Sequence, residues 1–288
     1  MSRHPFDPAG VPGSAVLPAL ACPVCSAALA PDALPRPSLL RCPLGHSADL
    51  ARQGYVSLLR GRHATSGDTA AMVQARDALL GSGHYRAIQD AVAAAVPVDA
   101  RLVVDLGCGT GAYLAAVLDA RPEASGLGLD LSAAAARRAA RAHPRAAIAT
   151  ADLWQPLPLA DGCADALLTV FAPRNAPEML RVLRPGGVAV VVTPRERHLG
   201  EIRPVFGMLG IDAGKAERLD EQLQGFERVA REELDYAVAM TPGELRAEVL
   251  MGPSAHHVDA AAVDALLAGR EDTTEVTVAV TVSVYRAG

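Results

Sequence analysis

Four residues near the start of the chain have the types and spacing of a metal site. Cys22, Cys25, Cys42 and His46 form the pattern C-x2-C-x16-C-x3-H. Each half is a tight knuckle that points two ligands inward, and two knuckles at opposite ends of a hairpin complete a tetrahedral Zn²⁺ site. Because three thiolates and one imidazole leave no open position, we expect a structural site whose metal supplies folding energy. The alternative is a set of unrelated buried thiols.

A glycine-rich loop forms the second chemical pattern. An apolar run from Arg101 reaches Asp105 and continues through Gly107, Gly109 and Gly111 into an alanine-rich segment with helical character. Glycines let the backbone pass close to a ligand, and a helix N-terminus offers free N–H groups. The glycines alone also satisfy a loose dinucleotide-binding fingerprint. The loop therefore predicts a nucleotide-like ligand without specifying it.

Alternating strands and helices must position this loop. Acids close two of the later predicted strands: Asp130 is placed to accept hydrogen bonds from ribose hydroxyls, and Asp152 suits an adenine amino group. The alternation predicts an α/β fold with a parallel doubly wound sheet and ligands at the carboxyl ends of its strands. The predicted strand segments are 101–105, 126–130, 146–152, 165–171 and 182–192, and the predicted helices are 69–80, 85–96 and 112–120.

Composition and charge limit the function classes. With 288 residues, half of them apolar, the chain has room for one large domain and a small one, and it has no apolar run long enough to cross a bilayer. Its five cysteines are an odd number and favour metal binding or reduced thiols over a disulfide framework. Residues 1–20 lack the apolar core of a signal peptide, so we expect a loose extension and a cytoplasmic protein without membrane association.

The net charge of −5 gives no hint of nucleic acid, but the charge distribution is uneven. Between positions 36 and 62 there are five arginines and one acid, Asp49. This segment is either a solvated basic face or a face that contacts a polyanion. The candidate residues for contact with a polyanion are Arg36, Arg41, Arg52, Arg60 and Arg62.

The sequences DLGCGTG, AD at 151–152 and LRPGG at 183–187, together with the acid at 130, resemble class I S-adenosylmethionine-dependent methyltransferases. The resemblance implies that the loop glycines approach the methionine and ribose parts of the cofactor. Asp105 has two open interpretations, as a ligand or as a residue that holds the loop, and Asp165 is expected to cap its strand. The candidate cofactor-binding residues are Tyr85, Asp105, Gly107, Gly109, Gly111, Tyr113, Leu114, Asp130, Asp152 and His198.

Four segments follow one another along the chain: CPVC, CPLGHSADLARQGYVSLL, GDTAAMVQARDALLGSGHY and VVDLGCGTG. In these segments and their order, the chain closely resembles the bacterial 23S ribosomal RNA guanine-N1 methyltransferases, which include macrolide-resistance enzymes. FAPRNAPEMLRVLRPGG and TPRERHLGEIR match as well. The resemblance implies that the four ligands bind zinc, that the zinc module contacts 23S rRNA and that the protein is a homodimer. It also places Tyr85 and His198 near the cofactor, where residue type alone predicts a core aromatic and a surface histidine.

These patterns predict a domain organisation. We expect a flexible extension over 1–20, a zinc-binding and RNA-contacting domain over 21–62, linker helices over 63–100 and a methyltransferase domain over 101–288. The chain departs from its relatives at 251–253, where it has Met-Gly-Pro in place of their Met-Thr-Pro and following aromatic stretch. His256 and His257, just beyond, are expected to be exposed loop residues.

The predicted reaction transfers a methyl group to guanine N1, which carries a proton at neutral pH. Paired bases are hidden, so the target should be an unpaired or extruded guanosine in a hairpin. Asp68 is a candidate proton acceptor or a helix cap, Phe171 either stacks on guanine or packs in the core, and Arg174 faces O6 or a phosphate. Two other functions fit the motifs: a small-molecule methyltransferase for a quinone or secondary metabolite, and a zinc-dependent RNA-binding adaptor with an inactive methyltransferase domain.

Overall fold

The computed structural model describes residue 6 and residues 16–32, 37–60, 67–211 and 217–288. Two of the candidate RNA-binding residues, Arg36 and Arg62, lie outside these ranges. Three short strands near the start form an antiparallel sheet in the order β1-β2-β3. We call this sheet and the four predicted ligands the zinc module. Its elements, with the helix that precedes them, are α1 (Val16–Ala19), β1 (Ala30–Pro31), β2 (Leu39–Arg41) and β3 (Ser47–Asp49).

A large mixed sheet forms the centre of the molecule. Its strands are β4 (Tyr55–Ser57), β5 (Leu102–Leu106), β6 (Ser125–Asp130), β7 (Ala146–Thr150), β8 (Ala164–Val170), β9 (Leu183–Pro194), β10 (Phe226–Met240) and β11 (Thr274–Ala287). Their order is β10-β11-β9-β8-β5-β6-β7-β4. The strands from β5 to β9 pair in parallel, as predicted, and β4 adds a parallel strand beside β7. The prediction of a wholly parallel sheet is wrong at the C-terminal end, where β11 runs antiparallel to both β9 and β10.

Helices cover both faces of this sheet. They are α2 (Ala70–Gly81), α3 (Arg86–Ala95), α4 (Ala112–Ala120), α5 (Ala133–Ala139), α6 (Ala176–Val182), α7 (Glu217–Gln222), α8 (Pro242–Met251) and α9 (Ala260–Leu267), with a short 3₁₀ helix at Pro253–His256. Helix α8 packs against α2 and so brings the C-terminal region onto the helices that precede the glycine loop. Within the described ranges, we find no helix with the length and apolar character that a membrane span requires.

The core consists of two apolar clusters, and alternate residues of the central strands belong to opposite ones. In β5, Val103 joins one cluster and Val104 the other, and both are fully buried. This is the period-two alternation of a sheet covered on both faces. The carboxyl ends of the parallel strands are thereby fixed on a rigid platform.

The boundary between the zinc module and the large sheet differs from the predicted division. Residues 16–20 fall in the predicted flexible extension, yet Val16 and Leu20 are fully buried and Leu20 bridges to Leu159. Strand β4 falls in the predicted zinc-binding domain, yet it pairs with β7 of the large sheet, Val56 opposite Ala149. The exact domain limits therefore stay a prediction.

Candidate active site and zinc cluster

The four predicted metal ligands converge in the zinc module. The ligand atoms of Cys22, Cys25, Cys42 and His46 all lie within 4.8 Å of one another. Cys25 Sγ is 3.7 Å from Cys42 Sγ, which is 3.4 Å from His46 Nδ1. Zn–S bonds of about 2.3 Å in a tetrahedron separate the sulfurs by about 3.8 Å, so the cluster fits Zn²⁺. Because the chain fills all four positions, the site is structural.

Backbone hydrogen bonds shape the two knuckles. The Ser26 N–H donates to the Cys22 carbonyl at 2.8 Å, and the Gly45 N–H donates to the Cys42 carbonyl at 2.9 Å. Gly45 has φ of +88°, a conformation that glycine adopts without a steric penalty. Each knuckle is therefore a tight turn, as its spacing predicts.

The glycine loop is closely covered by neighbouring chain. A Cβ atom at Gly107, whose φ is +80°, would lie 2.7 Å from the Ala172 Cβ. At Gly111, also with φ of +80°, a Cβ atom would lie 3.0 Å from the Ala142 Cβ. Both positions therefore require glycine for conformation and for space. The contacts of Gly107, Gly109 and Gly111 with the methionine and ribose parts of the cofactor stay a prediction.

Asp130, at the end of β6, holds the loop. Its Oδ2 accepts a hydrogen bond from the Gly109 N–H and its Oδ1 accepts one from the Ser132 N–H, both at 2.8 Å. Burial raises the pKa of this carboxyl. The loop-holding role that the sequence left open for Asp105 thus belongs to Asp130, and the binding of ribose by Asp130 stays a prediction.

Asp105 is buried beneath the loop at the end of β5. Burial, and then the charge of Asp130, raise the pKa of this carboxyl to about 8. Within the described chain, Asp105 Oδ2, Thr110 Oγ1 and Tyr113 OH are buried and have no hydrogen-bond partner. Buried polar atoms are normally paired, so this group fits a ligand that brings its own polar groups. A cationic amino acid moiety would also restore the ionised form of Asp105.

Tyr85 is buried and bonded to a carboxyl that the sequence did not single out. Its OH donates to Glu248 Oε2 at 2.9 Å. Glu248 lies on α8 and is fully buried, and this burial raises its pKa to about 7. The structure places Leu114 in the core, where a Cβ atom at Gly126 would lie 2.9 Å from its Cδ1. The predicted cofactor contact of Leu114 gains no support from this position.

His198 and Phe171 form a stacked pair at the carboxyl edge of the sheet. Their ring centroids are 5.9 Å apart with an interplanar angle of 12°. Phe171 has φ of +54° and is 41% exposed, which excludes the core-packing alternative. Burial, and then the charge of Arg203, lower the pKa of His198 to about 4, so its ring is neutral at pH 7. The Ala279 N–H donates to His198 Nδ1 at 3.2 Å, which leaves the ring proton on Nε2.

The surface-histidine interpretation of His198 is therefore wrong, since the ring is buried. It lies edge-to-face with Tyr85, with ring centroids 6.4 Å apart. The two residues that the family resemblance assigned to the cofactor are thus adjacent to each other. Their contact with the cofactor itself stays a prediction.

Asp68 is not the cap of α2. Thr69 is the N-cap, and its Oγ1 accepts a hydrogen bond from the Met72 N–H at 3.2 Å. Because Thr69 occupies the cap position, Asp68 cannot have that role. The Asp68 carboxylate instead pairs with Arg76, which also donates to the Met251 carbonyl at 2.6 Å. Arg76 therefore ties α2 to α8 beside the glycine loop.

Arg174 and Asp152 complete the carboxyl edge. The Arg174 Nη1 donates to the Ala172 carbonyl at 3.3 Å, whereas its Nε is buried without a partner among the described residues. Burial lowers the pKa of Arg174, and the Tyr285 phenol partly offsets that shift. Asp152 Oδ1 accepts a hydrogen bond from the Trp154 N–H at 3.0 Å. Arg174 keeps a donor for a ligand, and the adenine contact of Asp152 stays a prediction.

Other predicted residues have structural or surface positions. Asp165 Oδ2 accepts hydrogen bonds from the N–H groups of Arg101 and Leu102 at 2.8 and 2.7 Å and so fixes the start of β5. His256 and His257 are exposed, as expected. Arg41, Arg52 and Arg60 are exposed on or beside the zinc module, and Arg60 also donates to the Pro23 carbonyl. Their contact with RNA stays a prediction.

Comparison with known proteins covers both regions. The family described as "RlmA, N-terminal", a zinc ribbon, matches residues 20–66, and the family described as "Methyltransferase domain" matches residues 103–187. The 23S rRNA (guanine(748)-N(1))-methyltransferase of Streptomyces fradiae is 46% identical over 273 residues, which cover 93% of this chain and 96% of that protein. This chain belongs to the 23S rRNA (guanine-N1)-methyltransferase family. A Micromonospora griseorubida protein provisionally assigned to 23S rRNA (guanine-N(1)-) methylation is 48% identical, over 94% of this chain and 98% of its own length.

The fold agrees with this family assignment. A chain of the solved complex between the Haloferax volcanii Trm112 methyltransferase activator and a methyltransferase has a TM-score of 0.50 and 19% identity, and the match covers 78% of this chain and 99% of that one. This likeness shows the class I methyltransferase fold alone. S-adenosylmethionine and a structural Zn²⁺ are the cofactors of this guanine-N1 methyltransferase family member.

Sequence reasoning missed three groups at the site of this methyltransferase. Glu248 bonds to Tyr85, Arg76 bonds to Asp68, and the Ala279 N–H fixes the His198 tautomer. A carboxylate at an inward position of α8 was a weak signal for Glu248. For the backbone group of Ala279, the sequence offers no signal, because it acts only through the antiparallel strand β11.

Proposed function

We propose that this protein transfers a methyl group from S-adenosylmethionine to N1 of a guanosine in a hairpin of 23S rRNA. The observation that supports the proposal is that one chain contains both a cluster of three cysteines and one histidine and a class I glycine loop. The same chain matches the Streptomyces fradiae enzyme over 93% of this chain's length. A small-molecule methyltransferase needs the glycine loop but gives the zinc module no purpose. An inactive adaptor has no need for the buried Asp105 or for the closely packed glycines of the loop.

The chain's own residues divide the work at the carboxyl edge. When bound, S-adenosylmethionine supplies an electrophilic methyl group on a sulfonium, which leaves as a neutral thioether. Asp105 would bind the cationic amino acid part, and Asp130 and Asp152 would bind the nucleoside. Tyr85 and His198 would close the pocket on the side that faces the acceptor.

The acceptor guanine would lie on the exposed face of Phe171. As the methyl group bonds to N1, the N1 proton would pass to solvent water, and negative charge would develop on O6 while that proton leaves. Arg174 would donate its Nε–H to O6, because among the described residues that buried atom has no hydrogen-bond partner. The Asp68 carboxylate is engaged in its ion pair with Arg76. We therefore assign Asp68 to positioning Arg76 and the loop, and not to proton transfer.

Several finer proposals rest on the relatives. The name of the Streptomyces fradiae enzyme specifies guanine 748, and we propose the equivalent guanosine here. An enzyme of ribosomal RNA works where ribosomes are assembled, so we propose a cytoplasmic protein, and a homodimer as the resemblance implies. Protection against a macrolide is a further proposal, tested by the drug sensitivity of a host that expresses the protein.

One incubation separates the three functions. Purified protein would receive S-adenosylmethionine with a labelled methyl group, together with either 23S rRNA or a metabolite extract. Label in 1-methylguanosine from the RNA supports the proposal. Label only in small molecules supports the metabolite enzyme, and protein that binds RNA without transferring label supports the adaptor.

A further inference from the structure

The chain has one tryptophan, Trp154, and its side chain is 61% exposed. It lies in the segment that connects β7 to β8, two residues after Asp152. An indole ring contributes large apolar area and is highly buried on average in folded proteins. Neither the fold nor the proposed transfer explains why this ring faces solvent.

The segment around Trp154 is firmly held. The carbonyl of Leu153 accepts a hydrogen bond from Asn175 Nδ2 at 3.2 Å. The Leu157 N–H donates to Glu178 Oε2 at 2.6 Å, a short bond to a charged acceptor. The backbone is therefore anchored on both sides of Trp154, at Leu153 and Leu157, and carries the exposed indole on a held segment.

The segment that carries Trp154 is bonded both to the chain that leads into the zinc module and to the loop after β8 that contains Phe171 and Arg174. On one side, the Ala21 N–H, directly before the first zinc ligand, donates to the Pro158 carbonyl at 2.9 Å. On the other side, Asn175 directly follows Arg174. A polynucleotide that reaches from the module to the acceptor site would pass the indole.

The charge nearby suits a phosphate backbone. Leu58 donates its N–H to the Thr150 carbonyl at the end of β7 at 3.0 Å, which brings the exposed Arg60 to the strand end from which the Trp154 segment departs. The neighbouring acids Glu178 and Asp161 are both paired with the same cation, Arg181. Positive charge beside an exposed aromatic ring is the combination that single-stranded nucleic acid binding uses.

We propose that Trp154 stacks on an unpaired base that neighbours the target guanosine, while Arg60 contacts the phosphate next to that base. This inference rests on the proposed function, since it needs an RNA substrate. It gives the enzyme a second point of contact with the hairpin, in addition to the pocket for the methylated base. The competing role for the indole is a cover for the adenine of S-adenosylmethionine.

Because Trp154 is the only tryptophan, its intrinsic fluorescence reports on this one site. A 23S rRNA hairpin should quench the emission in a saturable titration, with the midpoint that fluorescence anisotropy of the labelled hairpin gives. S-adenosylmethionine alone should leave the emission nearly unchanged. Quenching by S-adenosylmethionine alone, or hairpin binding without quenching, would overturn the proposal. If anisotropy shows no hairpin binding at all, the proposed function itself has failed.

Two substitutions and a control complete the test. Trp154→Ala should weaken hairpin binding by about 5- to 100-fold, the range for loss of one base stack, whereas Trp154→Phe should retain most of the affinity. The matched control is Leu266→Ala, which removes an exposed apolar side chain from α9 and should leave hairpin affinity unchanged. S-adenosylmethionine affinity, measured by calorimetry, should be the same for all variants and confirms that they are folded. A Trp154→Ala variant with wild-type hairpin affinity contradicts the stack.

Discussion

The zinc module and the glycine-loop region fix their functional atoms in opposite ways. The module has strands of two or three residues and buries few apolar side chains, among them Leu40 and Ala48, so four ligand atoms and a metal hold much of its fold. The glycine loop extends from β5, whose five residues are all buried within a sheet covered on both faces. The module therefore depends on a few side chains, whereas the loop depends on backbone conformation and close packing. Substitutions should show this difference, and we give them from the largest expected effect to the smallest.

Loss of one zinc ligand should give the largest difference between the two regions, because it should affect RNA methylation and leave cofactor binding intact. Cys42→Ser should remove the metal, unfold the zinc module and lower RNA methylation by at least about 100-fold, because metal binding supplies the folding energy of such modules. S-adenosylmethionine affinity should stay within about two-fold, since the contacts that hold the glycine loop come from Asp130, Ala142 and Ala172, outside the module. Metal content by mass spectrometry, methylation and calorimetry check these outcomes.

The control for this substitution is Cys163→Ser, a half-buried cysteine outside the cluster. It should keep one zinc ion per chain and wild-type methylation. Full methylation by a zinc-free Cys42→Ser protein would show that the module is not needed to deliver the substrate.

A matched glycine pair tests the packing of the loop. Gly107 and Gly186 have φ of +80° and +75°, but an added Cβ atom meets Ala172 at 2.7 Å only at Gly107 and meets nothing within 4 Å at Gly186. Gly186→Ala should lower the free energy of unfolding by about 1–2 kcal/mol, the cost of the left-handed conformation. Gly107→Ala should lower it by about a further 1–3 kcal/mol, because the added methyl group overpacks the loop.

Urea unfolding measures both values, and calorimetry should show loss of S-adenosylmethionine binding only for Gly107→Ala. Equal effects of the two substitutions would mean that the contact with Ala172 relaxes freely and that the loop is less rigid than its packing indicates.

Asp105 should make binding of the methyl donor dependent on pH. Its pKa is about 8 in the free protein, and a cationic ligand favours the ionised carboxylate. Below pH 8, binding must therefore release a proton, so affinity should rise by up to about ten-fold per pH unit from pH 6 to 8 and then level off. His198, with a pKa of about 4, stays neutral in this range and adds no slope.

Calorimetry in buffers of different ionisation enthalpy measures the released proton. Asp105→Asn, which is close in size and cannot ionise, should bind more weakly at pH 8 and lose the rise in affinity between pH 7 and 8. Glu248, whose pKa is about 7 and whose carboxyl is bonded to Tyr85, still titrates below that range. A slope between pH 7 and 8 that persists in Asp105→Asn would assign the titration to another group.

The smallest effect should come from the exposed arginines of the zinc module. Replacing Arg41 and Arg52 together by Glu should weaken hairpin binding several-fold and reduce the slope of log affinity against log salt by about 1–2. With fewer phosphate contacts, binding releases fewer counterions from the RNA. Arg270→Glu, which changes an exposed arginine after α9, is the control and should leave that slope unchanged. Unchanged salt dependence in the double variant would favour the solvated-face interpretation.

The sequence predicted the features that local rules determine. The ligand spacing identified the zinc cluster, and apolar runs ending in glycines and acids identified the parallel strands from β5 to β9. It did not predict the antiparallel pair at the C-terminus, because the first half of β10 is charged and exposed on both faces, and only its second half alternates between partly buried and exposed positions. It also offered Asp68 as a helix cap or a proton acceptor, whereas Thr69 is the N-cap of α2.

Features built from distant segments could not be read from the sequence. The bond between Tyr85 and Glu248 joins residues 163 positions apart and depends on the packing of α8 against α2. Residue type alone makes His198 a surface residue, and only the antiparallel strand β11 provides the N–H that fixes its tautomer. The site edge that faces the acceptor is therefore a tertiary feature, while the loop and the metal cluster are local ones.

The most direct measurement is the identity and position of the methylated nucleoside. Unmodified 23S rRNA would be incubated with the enzyme and S-adenosylmethionine, digested for mass spectrometry of its nucleosides and, in parallel, copied by reverse transcriptase. We predict 1-methylguanosine and one new reverse-transcription stop, at an unpaired guanosine of a single hairpin. Methylation at another atom, stops spread over paired regions, or no RNA product beside a methylated small molecule would contradict the joint action of the zinc module and the glycine-loop cleft.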